Sequence, residues 1–298
     1  MADFAITPKR LGQMQMAKYC ARCFWYMLRL RFHAPFDHFG GAIFKKMEQM
    51  QMATVGIFLE NDGRLPAEFA PFCNLISRVD YPRHWSKFQY HHNSGVLLYG
   101  EPDDIFEVSD GSIAVIDHKT ARYKGGDDPF LPCYETQVVG YANIAELGLK
   151  LGKVSKGGLF YWEVDDEAVT SDPARFYRSK QLWTPFAVKT HSIDINYSLL
   201  DPLLKEVKQL WNADTPPIGA AKCDDCKKLD LLLAIEDQIV IKDQKILQRF
   251  SDLSYITNPV IGRMSDRRCA KHTAWSEFLG QEHGLAFADD GMIAAWIE

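Results

Sequence analysis

One short region before residue 120 constrains the fold of this chain most. Two apolar runs rich in β-forming residues, Val96 to Tyr99 and Ile113 to Ile116, lie on either side of Asp110-Gly111, a dipeptide that favours a tight hairpin turn. The second run leads directly into Asp117 and Lys119, which alternation places on one face of the strand. Burying such a pair is costly unless the charges meet a partner or a metal. We therefore expect a site at this strand end.

A second acidic pair, Asp103-Asp104, precedes the turn. With Asp110-Gly111 as a two-residue turn, residue 104 lies opposite 117 and 103 opposite 118, whereas a longer loop or a bulge places Asp103 opposite Asp117. Either register brings two carboxylates and the Lys119 ammonium to one point. Such oxygen ligands suit Mg²⁺ or Mn²⁺, which can polarise a phosphodiester. The plain alternative is a hairpin end with solvated charges, since Asp-x-Lys is common by chance.

The surrounding pattern predicts an α/β core with a mixed sheet flanked by helices. Hydrophobic periodicity predicts helices at about 13–32, 38–52, 134–149, 197–212 and 227–250, and a buried strand at 157–164. Three prolines make 61–85 an irregular or partly helical insertion. The expected organisation is an N-terminal helical segment (1–34), a core (35–165), a helical segment (166–226) and a C-terminal extension (227–298).

Three motifs give this core a family resemblance. They are Gly100-x-x-Asp103, the strand ending in Asp117-His118-Lys119, and Gln137-x-x-x-Tyr141 on the following helix. In this order they resemble the nuclease domain of the PD-(D/E)XK superfamily, in its RecB-like branch of helicase-nuclease subunits and CRISPR-associated exonucleases. The resemblance implies a restriction-endonuclease-like core. It also implies that Asp103, Asp117 and the carbonyl of His118 bind the metal, that Lys119 is catalytic, and that Gln137 and Tyr141 line the site.

The chain departs from that branch in the helix before the hairpin. The branch usually carries G-x-x-H there, but this sequence has Phe44 at the histidine position. Glu48 is the candidate acid nearby, and a solvent-facing residue is its plain interpretation. His38, His91 and His92 also lie near enough in sequence to be considered.

Four of the seven cysteines form two Cys-x-x-Cys pairs, Cys20 with Cys23 and Cys223 with Cys226. A four-cysteine set fits tetrahedral Zn²⁺ or a [4Fe–4S] cluster. The positions are similar to the iron–sulphur staple of RecB-like exonucleases, which implies a [4Fe–4S] cluster, although the staple there joins one N-terminal cysteine to three C-terminal ones. Cys269 replaces Cys23 in an alternative set, and four ordinary buried thiols are the plain interpretation. Cys73 and Cys133 have no partner at metal spacing and are expected to be packing residues.

Composition limits the remaining classes. A net charge of −5 argues against a protein coated in basic surface, but a nucleic-acid enzyme needs only a local basic path. One such path lies within the first 33 residues, where a solvated helix surface is the alternative. No run approaches the roughly 20 apolar residues of a membrane span, and no secretory signal is evident. A cytoplasmic location is therefore expected.

Together these features predict a Mg²⁺- or Mn²⁺-dependent deoxyribonuclease, with exonuclease or end-processing action on single-stranded or frayed DNA. Two alternatives stay open. One is a catalytically silent nuclease fold that serves as a DNA-binding or assembly subunit, and the other is a defence-type endonuclease. The extension at 227–298 is a candidate surface for a protein partner.

Overall fold

A computed structural model describes residues 4–30 and 42–231, together with the two strand segments 285–287 and 293–296. The chain divides into two compact units, Met1–Lys228 and Leu229–Glu298. In the second unit the described strands pair antiparallel with a shift of register. The predicted helix at 227–250 is helical to residue 231 and otherwise lies outside the described residues.

The first unit contains both helices and strands. In chain order the strands of both units are β1 (Phe4–Ile6), β2 (Leu75–Arg78), β3 (Gln89–His91), β4 (Val96–Tyr99), β5 (Asp104–Val108), β6 (Ile113–Lys119), β7 (Val154–Val164), β8 (Tyr177–Arg178), β9 (Gln181–Leu182), β10 (Phe186–Ile193), β11 (Leu285–Phe287) and β12 (Ile293–Trp296). The helices are α1 (Pro8–Gly12), α2 (Ala21–Arg29), α3 (Ala42–Asp62), α4 (Leu131–Asn143), α5 (Asp166–Ser171), α6 (Pro173–Phe176) and α7 (Leu200–Asn212).

A five-stranded mixed sheet in the order β10-β7-β6-β5-β2 forms the centre of the first unit. Strands β6 and β7 are parallel and α4 connects them, while the other neighbours are antiparallel. A second, three-stranded sheet has the order β1-β4-β3. This mixed α/β architecture confirms the predicted restriction-endonuclease-like fold class.

Strand alternation divides the core of the first unit into two layers. Odd-numbered residues of β6, such as Ile113 and Val115, pack in the layer that contains α4 and α7. Even-numbered ones, such as Ala114 and Ile116, pack with Val55 of α3 and with aromatic rings of 69–72. Both faces of β6 are therefore covered, which explains why this strand is continuously apolar.

The hairpin before residue 120 differs from the simplest prediction. The partner of β6 is β5, whereas the apolar run Val96–Tyr99 is β4 and lies in the second sheet. The loop holds three residues, Ser109-Asp110-Gly111, because the Val108 N–H donates to the Ser112 carbonyl. Asp104 pairs with Ile116, so the two-residue turn is wrong and the longer-loop register is correct. Gly111 has φ +82°, the conformation such a loop requires of its last residue.

The predicted helix at 13–32 is also interrupted. Residues 13–15 form one 3₁₀ turn, Met16 is extended, and α2 starts only after Cys20, whose backbone is extended as well. The Cys20 sulphur contacts a cysteine 206 residues away, a tertiary constraint that periodicity does not contain. In the insertion at 61–85, α3 continues to Asp62 and β2 adds an edge strand.

The other predicted elements lie close to their expected positions. The helix expected at 134–149 is α4 extended by a π-helical turn, the strand expected at 157–164 is part of β7, and the helix expected at 197–212 is a 3₁₀ turn followed by α7. Among the described residues, no helix is both long enough and apolar enough to cross a membrane.

Candidate active site and metal centre

The two predicted carboxylates and the lysine meet at the end of β6. Asp103 lies just before β5, and its Oδ2 accepts a hydrogen bond from the His118 backbone N–H at 2.6 Å. The Lys119 ammonium lies 2.5 Å from Asp117 Oδ2. Asp117 is 2 % exposed. The three side chains share the α4 face of the sheet, as alternation and the observed register require.

Helix α4 supplies the two motif residues predicted to line the site. The Gln137 amide donates to Asp117 Oδ1 at 2.7 Å, and its oxygen accepts from Lys119 Nζ at 3.1 Å. Tyr141, one turn further, is buried. A Cβ at position 100 would lie 2.5 Å from Tyr141 Cε1. Glycine in the Gly100-x-x-Asp103 motif therefore allows the chain before Asp103 to pass directly over the Tyr141 ring.

The candidate site contains more carboxylates than positive charges. Loss of solvation, followed by the charges of Asp117 and Glu48, raises the pKa of Asp103 well above its usual value. Burial lowers the pKa of Lys119, but the charges of Asp117 and Asp103 outweigh it and the pKa is raised. The ammonium therefore stays protonated, and it also lies 4.1 Å from the Tyr134 ring centroid. One lysine beside several carboxylates leaves room for a further cation.

Helix α3 brings Glu48 towards the site without placing it in direct contact. Glu48 is half-buried and its charge acts on Asp103. Within the described residues, the acidic side chains here do not form a group of three ligands as close together as the cysteines described below. One turn later, the Gln51 amide donates to Thr120 Oγ1 at 2.7 Å, while its buried Oε1 has no partner.

The neighbours of the site residues form a different network on the opposite face. The Trp162 indole N–H donates to His118 Nδ1 at 2.9 Å. Because indole nitrogen only donates, the imidazole proton sits on Nε2, which lies 3.2 Å from Asp104 Oδ2. Arg78 reaches both oxygens of Asp104, at 2.7 and 3.1 Å.

Sequence reasoning missed this second network. The only signal in the sequence was the alternation of side chains along a strand, which places residues 104 and 118 on the face opposite the site. The His118 side chain is thus directed away from the carboxylate pair, and its carbonyl is the group that the resemblance implies as a ligand. His92 pairs with Ser94 and lies 3.5 Å from Asp201, and His38 lies outside the described residues. Phe44, at the expected histidine position, is exposed.

The two cysteine pairs meet although they lie 200 residues apart. The ligand atoms of Cys20, Cys23, Cys223 and Cys226 all lie within 4.8 Å of one another. Three of the sulphur–sulphur contacts measure 3.4, 3.5 and 3.7 Å. Cys269 lies outside the described residues. The other two described cysteines, Cys73 and Cys133, each donate a hydrogen bond to a backbone carbonyl, of Pro66 and Lys9 respectively.

The environment of the cysteine cluster favours bound positive charge. Each pair lies at the start of a helical stretch, where the helix dipole stabilises thiolates. Burial opposes ionisation of Cys20, but hydrogen bonds from Ala220, Cys23 and the other cysteines lower its pKa to about 6. Burial and the neighbouring sulphurs raise the pKa of Cys23. All four sulphurs can therefore ionise together only if a cation joins them.

A mixed sheet that ends in paired aspartates and a lysine, backed by glutamine and tyrosine from the next helix, is an arrangement suited to metal-dependent phosphodiester hydrolysis. The sequence model of the PD-(D/E)XK nuclease superfamily matches residues 15–231, well over half of the chain. The chain therefore belongs to the PD-(D/E)XK nuclease superfamily.

Two further comparisons add little. The crystal structure of SSO0001 is 14 % identical in sequence and aligns over 72 % of this chain and 80 % of that chain, with a TM-score of 0.33. A search of curated protein sequences finds no significant match.

Proposed function

We propose that this chain is a metal-dependent deoxyribonuclease with Asp103, Asp117 and Lys119 in its active site. The observation that carries the proposal is the buried carboxylate Asp117. Gln137 donates to its Oδ1 and accepts from Lys119, while its Oδ2 lies 2.5 Å from the Lys119 ammonium and has no other polar partner. An oxygen buried in this way is suited to a hard divalent cation.

Asp103 and Asp117 would hold Mg²⁺ or Mn²⁺, with the His118 carbonyl as a further ligand and Glu48 as a more distant acid. When bound, the ion supplies Lewis-acid polarisation of the phosphodiester and lowers the pKa of a bound water. Lys119 places a fixed positive charge where negative charge develops on the phosphate. Gln137 orients both Asp117 and Lys119, because its amide hydrogen-bonds to each.

The finer assignments rest on the sequence resemblance. They are the RecB-like branch, exonuclease or end-processing action, and a preference for single strands or frayed ends. A cytoplasmic location and a protein partner for 227–298 are separate proposals that rest on the composition of the sequence. A defence-type endonuclease and a catalytically silent DNA-binding or assembly subunit are the alternatives. The intact aspartates and lysine support an enzyme, and Phe44 in place of histidine supports a silent subunit.

The four cysteines are proposed to hold one structural metal centre. The resemblance supports a [4Fe–4S] cluster. Three of the sulphur separations are 3.4–3.7 Å, and all four sulphurs lie within 4.8 Å of one another. These separations support the alternative of Zn²⁺, since tetrahedral Zn–S bonds of about 2.3 Å place sulphurs roughly 3.8 Å apart. In a cluster, each cysteine binds a different iron, so the sulphurs lie further apart. Metal analysis and the visible spectrum of anaerobically purified protein distinguish the two.

The activity test uses labelled linear and closed circular DNA, single- and double-stranded, with Mg²⁺, Mn²⁺ or EDTA. Wild type should cut with metal, and Lys119→Ala should lose about 10²- to 10³-fold in rate. Lys153→Ala is the matched control, because Lys153 is exposed and its carbonyl pairs with Ile113 at the opposite end of β6. Cleavage of closed circles would favour the endonuclease. DNA binding without cleavage by both wild type and Lys119→Ala would favour the silent subunit.

A further inference from the structure

Between β7 and β10 the chain leaves the central sheet and returns to it. Val164 and Phe186 pair at the point of departure and return. The intervening residues 165–185, here called the arm, contain α5, α6 and a small hairpin of β8 and β9. Ser179 and Lys180 form the hairpin turn, both with positive φ.

The arm exposes large apolar side chains. Tyr177 is 60 % exposed, Leu182 is 63 % and Trp183 is 61 %. Tyr177 and Leu182 are cross-strand partners and so share one face of the hairpin. The side chain of Trp183, the next residue, lies on the other face. The backbone N–H of Trp183 donates a hydrogen bond to the Phe176 carbonyl. Each face of the small hairpin therefore exposes an aromatic ring, and exposed aromatic residues this close together indicate a binding region.

Charge along the arm is divided between its two halves. The first half, 165–172, contains four acidic residues and no lysine or arginine. The second half, 173–185, contains three basic residues interleaved with aromatic ones and no acidic residue. Lys180, at the turn, is exposed. Aromatic and basic residues in alternation favour a flexible polyanion whose bases can stack, rather than an apolar protein surface.

Topology places the arm beside the candidate active site. Strands β6 and β7 are parallel, and Lys119 pairs with Tyr161. The arm therefore starts four residues beyond the level of Lys119, about 13 Å along the strand. A cleft of about 430 Å³ lies between the chain that follows Lys119 and the base of the arm. Its lining includes Arg122 and Trp162, but also the four acidic residues Glu163, Asp165, Asp166 and Glu167. Because these carboxylates repel phosphates, a bound strand would be held on the basic second half of the arm and not in this cleft.

We propose that the arm is a stacking site for single-stranded nucleic acid, in which Tyr177 on one face of the hairpin and Trp183 on the other each contact a base. The proposal rests on the proposed nuclease function and adds to it the place where the single strand is held. A base in a duplex is not available to such a platform, so the arm favours single-stranded substrates and unpaired ends over intact duplex.

The test measures binding of labelled oligothymidylate, an abasic oligonucleotide of equal length and a blunt duplex, in EDTA so that none is cut. Trp183→Ala or Tyr177→Ala should bind oligothymidylate about five- to hundred-fold more weakly, with unchanged melting temperature. Binding of abasic DNA and of duplex should stay as in wild type. Trp183→Phe should retain most of the affinity. Leu147→Ala, which removes an exposed apolar side chain outside the arm, should bind as wild type does.

Equal binding of oligothymidylate by wild type and both alanine variants would overturn the proposal. So would an equal loss on abasic DNA, or conversion of a wild-type dimer to a monomer with unchanged DNA binding. Cleavage assays separate the two proposals. If wild type cuts with metal while the arm variants bind and cut normally, only the arm proposal fails. If wild type never cuts but the base-dependent loss is observed, the nuclease proposal fails and the arm remains a binding site.

Discussion

Asp103 and Asp104 are adjacent in sequence, yet they lie in opposite electrostatic environments. Asp104 is fully buried, and Arg78 and His118 meet both of its oxygens. Asp103 receives one backbone hydrogen bond, and burial together with the charges of neighbouring carboxylates raises its pKa. On the Asp104 face of the sheet the carboxylate is fully paired with donors and positive charge. On the Asp103 face the carboxylates outnumber the positive charges. The first arrangement stabilises the fold, and the second is suited to binding a cation.

The comparison predicts its largest effect for Asp103→Asn. Cleavage with Mg²⁺ or Mn²⁺ should fall by about 10²- to 10³-fold, because the proposed metal site loses a charged ligand. The melting temperature in EDTA should stay equal or rise, because one of several repelling charges is removed. The measurement pairs cleavage rates with thermal unfolding of the same preparation. A variant that cuts as well as wild type would exclude Asp103 from the site.

The pH dependence of stability provides a second measurement on the same variant. The folded-state pKa of Asp103 is raised above its ordinary value of 3.8. The folded state therefore binds the proton more tightly, so this group's contribution to stability is present below pH 3.8 and is lost as pH rises through the raised pKa. In EDTA, Asp103→Asn should lack this decline. If the stability of wild type and of the variant depended on pH in the same way, the pKa of Asp103 would not be raised in the folded state.

Asp104→Ala should reduce stability much more than cleavage, which is the reverse of the result expected for Asp103→Asn. Removing a buried partner of Arg78 and His118 costs about 3 kcal/mol or more, which corresponds to a fall of about 6–12 °C in melting temperature. Cleavage by the folded protein should change far less than in Asp103→Asn. Asp194→Ala, at an exposed aspartate just after β10, controls for the substitution. Equal stability of the two variants would contradict a structural role for the Asp104 face.

The sequence predicted the Asp103 face of the sheet better than the Asp104 face. The motif residues Asp103, Asp117, Lys119 and Gln137 lie within 35 positions of each other, and local patterns place them on neighbouring elements. The exact register was not predictable, because Asp110-Gly111 is compatible with both a two-residue and a three-residue loop. Val96–Tyr99 has the same apolar pattern as a strand of the main sheet, and only tertiary packing assigns it to the second one.

The opposite face and the cysteine cluster depend on distant contacts. Trp162 lies 44 residues from His118, and Arg78 lies 26 residues from Asp104, and neither belongs to a recognisable motif. The cysteine pairs were found because Cys-x-x-Cys is a spacing with few other uses. Their convergence also explains the break before α2, where Cys20 must be extended to reach Cys226. A pattern can thus identify side chains that come together in the fold without predicting how the backbone adapts to bring them there.

The smallest expected effect is for Trp162→Phe, which tests whether the opposite face acts as one network. The substitution keeps an aromatic ring but removes the indole donor, so His118 Nδ1 is left buried without a partner, at a cost of about 1–2 kcal/mol. Chemical denaturation should detect this loss, and Trp183→Phe on the exposed arm should show none. Combined with Asp104→Ala, the loss should be less than additive, because both substitutions release the same imidazole. Full additivity would mean that Trp162 and Asp104 contribute to stability independently and that His118 does not couple them.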